Sequence, residues 1–146
     1  MRYYSYEEFF KDVNKIAHAI KPYDFDVFLA IARGGLTFSH FLAHAVDMRN
    51  LYALNSVHYN ESKKLDYINI FNIPDLSHAK KILIIDDIAD SGETLAEVTK
   101  AVKEKFSNVE EIKIATIFYR KTSIVKPDFY ARESDEWIEF CWDFKV

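Results

Sequence analysis

Lys81-Ile82-Leu83-Ile84-Ile85-Asp86-Asp87-Ile88-Ala89-Asp90-Ser91-Gly92-Glu93-Thr94 is the stretch on which the fold turns. Lys81 to Ile88 reads as a strand, and its unbroken apolar run suits a strand covered on both faces. After Gly92 the apolar residues Leu95, Val98, Val102 and Phe106 recur at helical intervals. A buried strand therefore passes into an amphipathic helix across a short acidic loop.

The same pattern occurs upstream. Phe25 to Ala32 is a second apolar run, broken by Arg33-Gly34-Gly35, and Leu36 to Val46 places Phe38, Phe41, Leu42, Ala45 and Val46 on one helical face. Ser5 and Glu8 have the spacing of a capping box ahead of a helix over Tyr6 to Lys21, which Pro22 ends. Leu51 to Tyr59 and Glu111 to Tyr119 are further strands. Asn60 to Lys64 is polar and expected to be mobile, Tyr67 to Asn72 is a short edge strand, and the tail after Pro127 reads as irregular and aromatic. Strands alternating with helices predict an α/β fold, a central mostly parallel sheet with helices on both faces.

Composition narrows the function. The chain has 146 residues, 49% hydrophobic, with only three Gly and three Pro, which predicts a single packed domain over 1–146. A net charge of −4 argues against a nucleic-acid partner, whose phosphates need a basic surface. No stretch has the length of a membrane span, so no membrane association is expected. Cys141 is the one cysteine and cannot pair within the chain, which fits a cytoplasmic location.

Ligands of open parallel sheets lie beyond the carboxyl ends of the strands. At the Asp86 exit, backbone N–H groups and the positive end of the following helix dipole suit a phosphate, with Gly92 allowing close approach and Ser91 and Thr94 adding hydroxyls. Carboxylates beside a phosphate repel it unless they face another part of the ligand. A ribose diol, which donates two hydrogen bonds to a carboxylate, meets that need, and Mg²⁺ would relieve the repulsion.

Taken together, Ile84-Ile85-Asp86-Asp87-Ile88-Ala89-Asp90-Ser91-Gly92-Glu93-Thr94 resembles the phosphoribosyl pyrophosphate signature of type I phosphoribosyltransferases, with Ser91 in place of the commoner Thr and an added charge at Glu93. The resemblance implies a Rossmann-like phosphoribosyltransferase fold with a small C-terminal hood, formed by 120–146 with the N-terminal segment. It implies that Asp90, Ser91, Gly92, Glu93 and Thr94 hold the 5′-phosphate, while Asp86 and Asp87 serve the ribose hydroxyls and the metal. Arg33 and Gly34 resemble the pyrophosphate loop, for which a cis or distorted Ala32–Arg33 peptide is expected.

Trp137-Ile138-Glu139-Phe140-Cys141-Trp142-Asp143 resembles the base-binding hood of 6-oxopurine enzymes, in particular bacterial xanthine-guanine phosphoribosyltransferases, with Cys141 where proline is common. By that likeness Trp137 stacks on the purine, Ile138 supplies backbone contacts, and Asp143 joins Asp87 as a Mg²⁺ ligand. Lys121 matches the lysine that reads the 6-oxo group, with Arg120 the alternative one residue earlier. Tyr59 sits where the family's catalytic lid begins, and the segment 60–72 has little of its relatives' basic content.

The activity implied is transfer of a phosphoribosyl group from phosphoribosyl pyrophosphate to xanthine, guanine or hypoxanthine, with Mg²⁺ and with Asp90 as general base, in a homodimer or homotetramer. The main alternative is a regulator that senses phosphoribosyl pyrophosphate while binding nucleic acid, which the acidic charge disfavours. A hydrolase or receiver domain lacks support, since no G-x-x-x-x-G-K-[ST] loop is present. His40 and His44 have metal spacing without a third ligand.

Overall fold

A computed structural model of the chain describes residues 1–61 and 65–146. Strand β1 (Arg2–Tyr4) leads into helix α1 (Tyr6–Ile20), whose start is the expected capping box: Ser5 accepts from the Glu8 N–H while Glu8 reaches back to the Ser5 N–H. Strand β2 (Val27–Ala32) and helix α2 (Leu36–Ala45) form the first βα unit. A hairpin of β3 (Leu51–Glu61) and β4 (Leu65–Phe71) follows. Next come β5 (Lys81–Ile85), the short β6 (Ile88–Ala89), helix α3 (Glu93–Lys105), β7 (Glu111–Tyr119), β8 (Phe129–Glu133) and β9 (Ile138–Phe140).

The main sheet runs β4-β3-β2-β5-β7-β6, with β8 also on β7, and every pairing in it is parallel except β3 with β4. Alternation along β5 explains its continuous apolar sequence. Leu83 and Ile85 enter one core with Phe9, Ile16, Phe38 and Leu42 of α1 and α2. Ile82 and Ile84 enter the other with Leu95, Val98 and Val102 of α3. Each such side chain, withdrawn from water, contributes about 1.5–3 kcal/mol. The mostly parallel sheet with helices on both faces is as the sequence predicts.

The structure departs from expectation in the tail and the hairpin. The segment after Pro127 is not irregular: β8 extends the main sheet, and β9 pairs in parallel with β1 to make a separate two-stranded sheet. Only a tertiary partner such as β1 stabilises a strand as short as β9. The segment after Tyr59 does not open into a loop at once; β3 continues to Glu61 and pairs with β4. Positions 62–64 of the polar stretch lie outside the described residues. Among the described residues no helix is long and apolar enough to cross a membrane.

Candidate active site

The acidic exit is where the central strand breaks. Instead of running to Ile88, β5 stops at Ile85, because the Asp86 side chain takes the Asp87 N–H at 2.9 Å in competition with the ladder. Pairing resumes at once: Ile85 stands opposite Ala115 and Ile88 opposite Phe118, an unchanged register, while the Asp87 carbonyl accepts from the Ile117 and Phe118 N–H groups. The interruption thus turns two adjacent carboxylates out of the sheet without ending it. Burial, then the neighbouring Asp87 charge, raises the Asp86 carboxyl well above the usual carboxylate range. Burial also pushes Asp87 up, and the Asp143 charge adds to it.

Beneath this pair lies the loop after β2. The Ala32–Arg33 peptide is cis, as expected. A Cβ on Gly34 would stand 2.7 Å from Asp87 Oδ2, and one on Gly35 would strike the Ile85 carbonyl oxygen. Two glycines therefore let the Arg33 loop lie against the acidic exit.

A cavity of about 250 Å³ is lined by His58, Asp86, Asp87, Ile88, Asp90, Ser91, Gly92, Thr94 and Leu95. The N–H groups of Ser91, Gly92 and Thr94 find no acceptor among the described residues, whereas that of Glu93 is taken by the Ser91 hydroxyl at 3.2 Å. Glu93 does not line this cavity but a neighbouring one, with His58, Tyr67 and Glu97. Gly92 is left-handed at φ 83°, and a Cβ there would strike the Ser123 hydroxyl and come within 2.8 Å of the Val125 N. The glycine serves the 123–125 segment that props the loop, through Ile124 N–H to the Ser91 carbonyl at 2.8 Å, as well as any ligand.

A second cavity, also about 250 Å³, shares Asp87, Ile88 and Asp90 with the first and adds Arg120, Trp137, Ile138, Phe140 and Asp143. Trp137 is 69% exposed and Ile138 only 5%, a free ring beside an anchored backbone. The Phe140 N–H donates to Asp143 at 3.0 Å and fixes its carboxylate. Trp142, by contrast, stacks on Phe140 at 4.7 Å and packs on Phe9, a core residue.

Of the two candidate cations, Arg120 and not Lys121 lines the Trp137 cavity. Its Nε donates to Asp90 Oδ1 at 2.5 Å and its NH2 to the Glu136 carbonyl at 3.1 Å. Lys121 is turned out, 81% exposed and 3.6 Å from Glu133, and does not line the Trp137 cavity. Strand alternation is the reason. Arg120 N–H still bonds the Ala89 carbonyl, continuing the β6–β7 ladder, so Arg120 follows Phe118 toward the hood and Lys121 falls on the other side. Alternation along β3 likewise separates Tyr59 from its neighbour. Tyr59 lines neither of the two cavities but stacks on Tyr67 at 5.1 Å, while His58, one residue earlier, lines the first cavity.

Sequence reading missed His58 and also the polar lock under the hood. There Asp12, 6% exposed, accepts from Tyr4 Oη at 2.5 Å and from Arg132 Nε at 2.7 Å, joining β1, α1 and β8. None of these residues has a local signature.

Asp87 and Asp143 offer hard oxygen donors at one wall, and among the described residues no group of three or more such side chains could enclose an ion. That donor set fits Mg²⁺, which is held by one or two carboxylates and completes its shell with water and substrate phosphates. His40 and His44 stack on each other at 5.0 Å and belong to no group of three or more metal-ligating side chains among the described residues.

Comparison with known proteins places these features in context. The sequence matches the phosphoribosyl transferase domain family across residues 2–146. A xanthine-guanine phosphoribosyltransferase of Chromohalobacter salexigens is 26% identical over 145 residues, 97% of this chain and 83% of that protein. An orotate phosphoribosyltransferase of Sulfurisphaera tokodaii is 31% identical over 107 residues, 72% of this chain and 51% of that protein. Among solved structures, the Helicobacter pylori xanthine-guanine-hypoxanthine phosphoribosyltransferase superposes with a TM-score of 0.88 at 31% identity, covering 97% of this chain and 93% of that one.

Proposed function

The chain belongs to the phosphoribosyl transferase domain family, and on that premise we propose that it transfers a 5-phosphoribosyl group from its pyrophosphate donor to a 6-oxopurine. The observation that carries this reading is the meeting of two cavities at Asp87, Ile88 and Asp90, one with an amide-lined acidic cup and one with an exposed indole. A sugar phosphate suits the first and a flat heterocycle the second. The likeness to xanthine-guanine and xanthine-guanine-hypoxanthine enzymes supports xanthine, guanine or hypoxanthine as the base.

In this reading the Ser91, Gly92 and Thr94 amides hold the 5′-phosphate, and Asp86 and Asp87 accept from the ribose hydroxyls. Arg33 and the Gly34 amide receive the pyrophosphate. Trp137 stacks on the base, the Ile138 backbone borders it, and Arg120 donates to its 6-oxo group. The C1′–oxygen bond breaks with its electron pair leaving on pyrophosphate, and the base nitrogen attacks the oxocarbenium-like carbon. Asp90 accepts the proton the purine sheds at N7. Mg²⁺, when bound by Asp87 and Asp143, supplies charge neutralisation for the leaving group. A homodimer or homotetramer in a reducing cytoplasm completes the proposal, consistent with the single unpaired Cys141.

The decisive experiment supplies phosphoribosyl pyrophosphate and Mg²⁺ with xanthine, guanine, hypoxanthine, adenine and orotate in turn and follows pyrophosphate release and nucleotide formation. Turnover with at least one 6-oxopurine is expected, and Asp90→Asn should lower kcat about 100-fold with folding retained. Turnover confined to orotate or adenine would refute the base assignment.

A further inference from the structure

Resting on the reading above, we propose that Arg120 is a positioning residue: it fixes the Asp90 carboxylate at the junction of the two cavities and ties it to the hood segment that carries Trp137. Burial in this ion pair is inverted. The Arg120 side chain is 17% exposed and that of Asp90 56%, so the cation is the anchored partner and the carboxylate the one being held. Among the described residues Arg120 is the only hydrogen-bond partner of the Asp90 side chain.

Arg120 is held at three points. Its backbone N–H bonds the Ala89 carbonyl at 3.0 Å, its Nε the Asp90 carboxylate, and its NH2 the carbonyl of Glu136, next to Trp137. A loop carboxylate that is more than half exposed samples several rotamers, and selecting one for proton transfer costs entropy on every turnover. A planar guanidinium commits two N–H groups to two acceptors in fixed directions; an ammonium does not. The strut therefore aligns the proton acceptor with the ring that stacks on the base.

The experiment is a double-mutant cycle with Arg120→Met and Asp90→Asn, together with hydrogen exchange of residues 134–138. If Arg120 acts through Asp90, Arg120→Met lowers kcat about 10-fold or more, and the kcat of the double variant is no lower than that of Asp90→Asn alone, the lost contact with the 6-oxo group appearing instead as a higher KM for the base. Losses in kcat that multiply would leave Arg120 no role through Asp90 and overturn the proposal. Arg120→Met should also speed exchange at 134–138, and unchanged exchange overturns the tie to the hood whatever the activity. Arg120→Lys is expected to recover part of the turnover without hood protection; full recovery of both refutes the fork argument. Wild-type protein that converts none of the bases removes the functional reading, and the exchange experiment still decides the strut.

Discussion

Gly34 lies so close beneath Asp87 that a single added carbon would stand 2.7 Å from the carboxylate oxygen. The two residues come from different strand exits, and their contact joins the Arg33 loop to the acidic cup. It also makes the site intolerant of bulk at a position that sequence alone presents as an ordinary turn glycine.

Gly34→Ala is expected to fold, since the obstructed atoms belong to a side chain, at a cost of about 1–2 kcal/mol. Its effect should fall on the donor, with KM for phosphoribosyl pyrophosphate rising about 10-fold while KM for the base is unchanged. Gly35→Ala meets the Ile85 and Ile31 carbonyl oxygens of the backbone instead and should lose more stability. Thermal melts and steady-state kinetics on both variants decide; equal stability losses would contradict the geometry.

The acidic pair makes stability depend on pH. Asp86 and Asp87 have carboxyls raised in the folded state, so their contribution is full below the ordinary carboxylate range and is lost as pH climbs through their folded values. Asp86→Asn removes that penalty. In chelator it should be about 1–2 kcal/mol more stable than wild type at pH 7, less so at acid pH, and inactive. A variant less stable than wild type at pH 7 would count against the burial argument.

The lock beneath the hood should behave differently. Asp12→Ala strands the Tyr4 hydroxyl and the Arg132 guanidinium together, and with Arg132 partly solvated the loss is expected to be about 2–3 kcal/mol. Tyr4→Phe removes one donor and should cost about 1 kcal/mol. Urea denaturation distinguishes the two.

The two tryptophans separate function from packing. Trp137→Ala should leave stability within about 0.5 kcal/mol of wild type, its ring being mostly exposed, while raising KM for the base about 10-fold. Trp142→Ala, which abandons Phe140 and Phe9, should lose about 2–3 kcal/mol and change base KM little. The reverse pattern would exchange their assigned roles.

Periodicity and turn chemistry act over a few residues, and what depends on them could be read from the chain alone. The capping box at Ser5, the two βα units, a two-faced strand starting at Lys81, though read through to Ile88 where the structure ends it at Ile85, and the grouping of Asp86, Asp87 and Asp90 at its exit are of this kind. What the chain alone did not decide is set by partners far along it. Ile138–Phe140 becomes a strand because Arg2–Tyr4 lies beside it, and Arg120 rather than Lys121 faces Asp90 because the β6–β7 ladder runs one residue further. A one-residue step reverses a side chain across a sheet, and that parity is fixed by hydrogen bonds between strands, which no local window of sequence contains.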